Sequence, residues 1–138
     1  MDKKDSMILS ELEGNSRQSV RDISRKTKIR PSTVHLRIQK LIQDGFIKCF
    51  TIRLNREKLG QTLTVFMLVS TNGNIPDSFF KSPNIVEVFG ITGEYDLIIK
   101  CRFRDVGEFN RFILEFRNFP QINKTLTMVG TLRLKKEV

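Results

Sequence analysis

Pro31-Ser-Thr-Val-His-Leu-Arg-Ile-Gln-Lys-Leu-Ile-Gln-Asp-Gly45 is the stretch on which the reading of this chain turns. Proline opens it, at the first helical position, where its missing N–H would have gone unpaired anyway. Val34, Ile38, Leu41 and Ile42 recur at i, i+4, i+7 and i+8, an apolar stripe that predicts an α-helix, and Gly45 stops it. Ser32, Thr33, His35, Leu36, Arg37 and Lys40 are left off the stripe. These are short donors at the front of a helix with long cations behind them. Such a face suits a DNA major groove, where the first turns of a recognition helix reach base edges and flanking cations hold phosphates. Leu36, odd for an exposed position, either touches a thymine methyl or packs at the helix edge.

Two shorter helices are predicted ahead of it. The first runs from about Asp2 to Glu13, with Asp2 or Asp5 as its cap, Ile8, Leu9 and Leu12 on one face, and Gly14 as its stop. The second opens at Ser19 with Asp22 three residues on, which is capping-box spacing. Val20 and Ile23 give it an inward side, and it ends near Lys26–Lys28. The turn from Thr27 to Pro31 is tight. Arg30, just before the proline, opposes the helix dipole, a local cost that a nearby phosphate would turn into a contact.

Charge agrees with a polyanion partner. From Arg17 to Arg53 ten basic side chains face only Asp22 and Asp44, hence +8 of the chain's +9. Arg21 and Arg25, on the second helix, are the expected phosphate contacts. On the three short helices alone, a plain three-helix bundle with a polar exterior is the better explanation; the tight turn and the concentrated charge shift the balance to DNA. The lone His35, with no second histidine and no carboxylate cluster, suits a base contact or solvent better than a metal.

After Gly45 the run Phe46 to Leu54 reads as extended, and Asn55 to Gly60 as a turn or hinge. The expected organisation is therefore a helix-turn-helix DNA-binding domain over 1–54, a hinge over 55–61, and a second domain over 62–138. In the second domain the periodicity shifts toward two. Thr62 to Thr71 reads as a strand with Leu63, Val65, Met67 and Val69 on one face and Phe66 and Leu68 on the other. A short helix near Pro76 to Lys81 follows, then strands over 85–91 and 95–103 joined at Thr92-Gly-Glu94. Asp105 with Glu108 caps a helix turning Val106, Phe109, Phe112, Ile113 and Phe116 inward, and a last strand spans 125–134. The order β-α-β-β-α-β is the ferredoxin-like arrangement, an α+β class. Its helices cover one sheet face. The other face carries bulky apolar residues here, which marks an association surface and predicts a homodimer made through the sheet. A symmetric dimer would set two reading heads a helical turn apart, matching a palindrome in double-stranded DNA.

Composition narrows the remaining classes. Hydrophobic residues at 39% and charged residues at 28% describe a globular chain, and no apolar run is long enough to span a bilayer, so no membrane role is expected. Cys49 and Cys101 lie far apart with a single histidine in the chain, which leaves no zinc site and predicts a reduced, cytoplasmic protein in which each cysteine is a small buried hydrophobe. No metal, cofactor or catalytic constellation is expected: there is no G-x-S-x-G, P-loop or dinucleotide fingerprint, so an enzyme is disfavoured. An RRM-type RNA binder is disfavoured too, because Tyr95 to Phe103 lacks the aromatic pattern of that sheet.

Three elements together resemble the Lrp/AsnC family of feast/famine regulators: Arg37-Ile-Gln-Lys-Leu-Ile-Gln-Asp-Gly-Phe-Ile-Lys48, the hinge Glu57-Lys-Leu-Gly60, and Thr92-Gly-Glu-Tyr-Asp-Leu97. The resemblance spans nearly the whole chain. It implies a winged helix-turn-helix domain, a ferredoxin-like domain, dimers that assemble to tetramers or octamers, and an amino-acid effector bound near the G-x-Y-D turn, here Gly93, Tyr95 and Asp96. Arg30 departs from the pattern, since many relatives carry a capping residue there. The turn residues also have a purely structural explanation, because Gly and Asp favour turns with or without a ligand. The rival to a sequence-specific regulator is an architectural chromatin protein that binds DNA with little sequence preference.

Overall fold

The computed structural model describes residues 1–135. They form two compact units, Met1–Arg53 and Leu54–Lys135; the end of the expected second domain, 136–138, lies outside the described residues.

The first unit is three helices, α1 (Lys3–Gly14), α2 (Val20–Thr27) and α3 (Pro31–Gln43). Both leading helices start on reciprocal caps. The Asp2 carboxylate accepts from the Asp5 N–H at 3.0 Å while Asp5 accepts from the Asp2 N–H at 3.2 Å. Ser19 and Asp22 do the same for α2, satisfying N–H groups that a helix start leaves unpaired. α2 ends where Lys28 adopts φ 63°, a left-handed conformation uncommon for a residue with a side chain. Two hydroxyls fasten that turn: Ser24 donates to the Ile29 carbonyl at 2.5 Å, and Thr27 donates to the Ile23 carbonyl at 2.7 Å. Ile8, Leu12, Ile23, Ile29, Val34 and Leu41 form the core. The apolar stripe of α3 ends one residue sooner than its periodicity suggests, since Ile42 is 46% exposed. Residues 46–54 form no strand, and Phe46, Phe50 and Ile52 are exposed.

The second unit is a four-stranded antiparallel sheet in the order β2-β3-β1-β4, built from β1 (Leu63–Thr71), β2 (Ile85–Gly90), β3 (Leu97–Phe103) and β4 (Ile122–Gly130). The ferredoxin-like order holds, with two changes. The first crossover contains only a 3-10 turn, Asp77–Lys81, which seats Phe79 in the core, so α4 (Val106–Phe116) is the only α-helix of the described sheet unit. β4 begins and ends a few residues earlier than expected. Val65, Met67 and Val69 of β1 and Ile99, Cys101 and Phe103 of β3 are buried beneath Phe112 and Phe116 of α4. Val106 is not part of that layer: at the first position of α4 it stays 63% exposed, and the inward stripe begins at Phe109.

Register defines the opposite sheet face. Phe89, Ile98, Leu68 and Leu126 are aligned across all four strands, and Glu87, Lys100, Phe66 and Met128 form the next row. Phe89, Leu126 and Met128 are exposed. Of the cysteines, Cys101 is buried, and burial pushes its thiol pKa up to about 12. Cys49 is exposed, against expectation, in a segment that forms no helix or strand. No helix among the described residues is long and apolar enough to cross a membrane.

Candidate functional site

On α3, burial of Val34 and Leu41 turns the opposite side outward. Ser32, His35, Leu36 and Lys40 are exposed there, Leu36 at 65%, while Thr33 and Arg37 are half-buried at its edge. The N-terminus of α3 is bare: Arg30 makes no side-chain cap and Pro31 follows it. The resulting free N–H groups and the positive end of the helix dipole face whatever approaches that end, a setting suited to an anion.

The surrounding cations fall into two groups. Among the described residues Arg21, Arg30 and Lys40 have no carboxylate partner, and neither does Lys28 in the α2–α3 turn. Arg25 is paired with Asp22 at 2.7 Å, one turn back on α2, and both side chains remain accessible. That pairing is weak at an exposed position.

Arg37 differs from both groups. Its guanidinium bonds Asp2 and also Asp5, the latter at 3.2 Å, joining α3 to the cap of α1. The hydrogen bond from Arg37, followed by the Asp5 N–H, lowers the Asp2 pKa to about 2, and the bonds of the guanidinium to the Asp2 and then the Asp5 carboxylate raise the pKa of Arg37. Sequence reading placed Arg37 among base-contacting residues; in the structure its guanidinium is engaged by α1. The carboxylates that hold it are 35 and 32 residues away, a separation that no helical spacing reveals.

The turn between β2 and β3 brings Gly93, Tyr95 and Asp96 together. Gly93 sits at φ +119°, a backbone that side-chain-bearing residues rarely adopt. Asp96 ties the turn to the end of β1, with Oδ2 accepting from the Thr71 N–H at 2.7 Å and the Thr71 hydroxyl at 3.1 Å. Lys124 of β4, which sequence reasoning did not single out, bonds Glu94 and places its ammonium 5.0 Å from the Tyr95 ring. Glu94 has its pKa lowered and Lys124 its pKa raised, each first by that bond.

Comparison with known proteins covers both units. A family described as winged helix-turn-helix DNA-binding matches residues 1–48, and the Lrp/AsnC ligand binding domain matches residues 64–138. HTH-type transcriptional regulator FL11 of Pyrococcus horikoshii is 34% identical over 141 residues, spanning 99% of this chain and 93% of its own. Among solved structures, LrpC of B. subtilis superposes with a TM-score of 0.88 at 26% identity, over 99% of each chain. The transcriptional regulator NMB0573 of Neisseria meningitidis, crystallised as an L-Met complex, superposes with a TM-score of 0.92 at 24% identity, over 99% of this chain and 93% of that one.

Proposed function

From membership of the Lrp/AsnC family, to which this chain belongs, we propose that it is a sequence-specific regulator of transcription that reads palindromic duplex DNA as a homodimer. Its helix-turn-helix unit is of the DNA-binding kind. The observation that carries the proposal is the outward side of α3, where Ser32, His35 and Leu36 stand exposed beside cations that no carboxylate of the described residues neutralises.

In this reading residues 1–54 bind DNA, 55–61 form the hinge, and 62–138 assemble the protein and receive an effector. Ser32, Thr33, His35 and Leu36 meet base edges; Arg21, Arg25, Arg30 and Lys40 hold phosphates. Arg37 acts first as the strut between α3 and α1, and reaches a base only by giving up a carboxylate. The apolar row Phe89, Ile98, Leu68 and Leu126 pairs with its copy across a two-fold axis. Dimers then build tetramers or octamers. A small amino acid modulates the protein at the turn of Gly93, Tyr95 and Asp96. The ligand-binding description of the family domain and the L-Met held by the Neisseria regulator support that last element.

Several rounds of selection from a random duplex pool at physiological salt test the proposal. An enriched palindrome with half-sites about 10 bp apart, or a multiple of that, is expected. Tight retention without a motif would replace it with the architectural reading, and no retention would overturn both.

A further inference from the structure

Three arginines of the sheet unit gather at one end of the open sheet face. Register places Arg102 of β3 beside Thr64 of β1, and Thr64 beside Gly130 of β4. Arg56, in the hinge, donates through Nη1 to the side-chain oxygen of Gln61 at 3.1 Å, and the Gln61 N–H donates back to the Arg56 carbonyl at 2.9 Å. Arg133 follows shortly after Gly130 in the chain. Burial, then the charges of Arg56 and Arg133, lower the pKa of Arg102, so both stand within electrostatic reach of it. Arg102 is half-buried and the other two are exposed. Among the described residues none of the three is paired with a carboxylate. The row beside them is low: Gly130 has no side chain, and the Thr64 hydroxyl meets no partner among the described residues.

Like charges held together, one of them partly desolvated, destabilise a fold unless an anion answers them. A second copy of the chain would not answer them. The four strands contain one carboxylate, Glu87, and it stands opposite Lys100. Two copies facing each other across the sheet therefore bring more cations than anions. The apolar row Phe89, Ile98, Leu68 and Leu126 lies about 13 Å away along the strands, which leaves the arginine end to another partner.

We infer that this cluster binds a compact oligophosphate, the phosphate chain that pyrophosphate, tripolyphosphate and nucleoside polyphosphates share. The guanidiniums of Arg56, Arg102 and Arg133 take its oxygens, and the Thr64 hydroxyl adds a neutral donor. A guanidinium fork matches a phosphate with two parallel hydrogen bonds. Duplex DNA spreads its phosphates along the helix axis. A phosphate chain instead concentrates several charges on a few atoms, which suits cations gathered beside one low row. The site is separate from the outward side of α3 and from the turn between β2 and β3, so it stands or falls independently of both.

Isothermal titration and thermal shift of the full-length protein with inorganic phosphate, pyrophosphate, tripolyphosphate, ATP and GTP test this. Wild type is expected to bind tripolyphosphate at least about tenfold more tightly than inorganic phosphate, with a melting temperature that rises with ligand concentration. Arg56→Gln with Arg133→Gln, both at exposed positions, should weaken tripolyphosphate at least about tenfold, and so should Arg102→Gln. Arg102→Gln also relieves like-charge repulsion, so without ligand it should melt no lower than wild type; a residue that only supported the fold would lower it. The cations of the helical unit attract polyanions too, and Arg21→Ala with Arg30→Ala is the control: it should keep wild-type affinity for tripolyphosphate. Nucleotides that bind more tightly than tripolyphosphate would identify a base-bearing ligand, and equal affinities would identify the chain alone; both results support the site. No preference over inorganic phosphate would overturn the inference, as would binding that survives the cluster variants and is lost in the control. Cluster variants that lose duplex affinity and keep tripolyphosphate would also overturn it, and would assign the arginines to DNA.

Discussion

The two units solve opposite surface problems. In the helical unit buried residues of α1 to α3 converge on one small core, and the outward side of α3 carries Ser32, His35 and the exposed Leu36 with unneutralised cations around them. In the sheet unit one face is sealed by α4, while the other shows Phe89, Leu126 and Met128 to solvent in rows that cross the sheet. A surface of free cations meets a polyanion without needing shape, and short donors on a helix add the sequence reading. An apolar sheet face meets another apolar face. The contrast between a basic helical surface and an apolar sheet face is what the proposed function uses, with specificity in one unit and assembly in the other, so under that proposal each should fail separately.

The sharpest way to break that separation is to charge the open sheet face. Phe89→Glu with Leu126→Glu is expected to convert dimers to monomers in sedimentation equilibrium and to weaken operator binding by about a hundredfold or more, because two linked reading heads become one. Both side chains are already exposed, so the fold should survive. Dimers that persist would mean that assembly lies elsewhere.

A smaller effect should mark the other unit. Arg21→Ala with Arg30→Ala is expected to leave the oligomer intact, weaken binding to every sequence alike, and reduce the slope of log affinity against log salt by about 0.9 for each lost phosphate contact. An unchanged slope would remove both residues from the phosphate surface.

The smallest effect concerns the strut. Because folding lowers the Asp2 pKa to about 2 from an ordinary 3.8, its bond to Arg37 stabilises the fold above pH 4. That contribution fades as pH falls from about 4 toward 2. Asp2→Asn and Arg37→Ala should therefore each lower the melting temperature slightly at pH 7 and flatten its fall between pH 4 and pH 2. A wild-type melting curve with the same pH dependence as both variants would show the strut to be inert.

What the sequence made legible was local. Ser19 and Asp22 announce a capping box at i and i+3, Pro31 opens α3, and alternation in β1 sorts Val65, Met67 and Val69 from Phe66 and Leu68, because each pattern repeats within a few residues. What escaped reading depends on distant pieces of chain. Arg37 finds Asp2 and Asp5, and Glu94 finds Lys124 thirty residues on, through tertiary placement alone. Lys28 takes a left-handed backbone where composition suggested only the end of a helix. Val106 and Ile42 fit their helical stripes and still stay exposed, since periodicity marks a face and cannot say how far the packing surface extends beneath it.

The central claim is that the outward side of α3 reads bases. Duplex selection carried out in parallel with wild type and with Ser32→Ala/His35→Ala/Leu36→Ala tests it most directly. The account predicts that wild type enriches a palindrome while the triple variant retains duplex DNA, remains dimeric, and loses sequence information at two or three positions in each half-site. An identical motif from both proteins would contradict it and move the reading surface off α3.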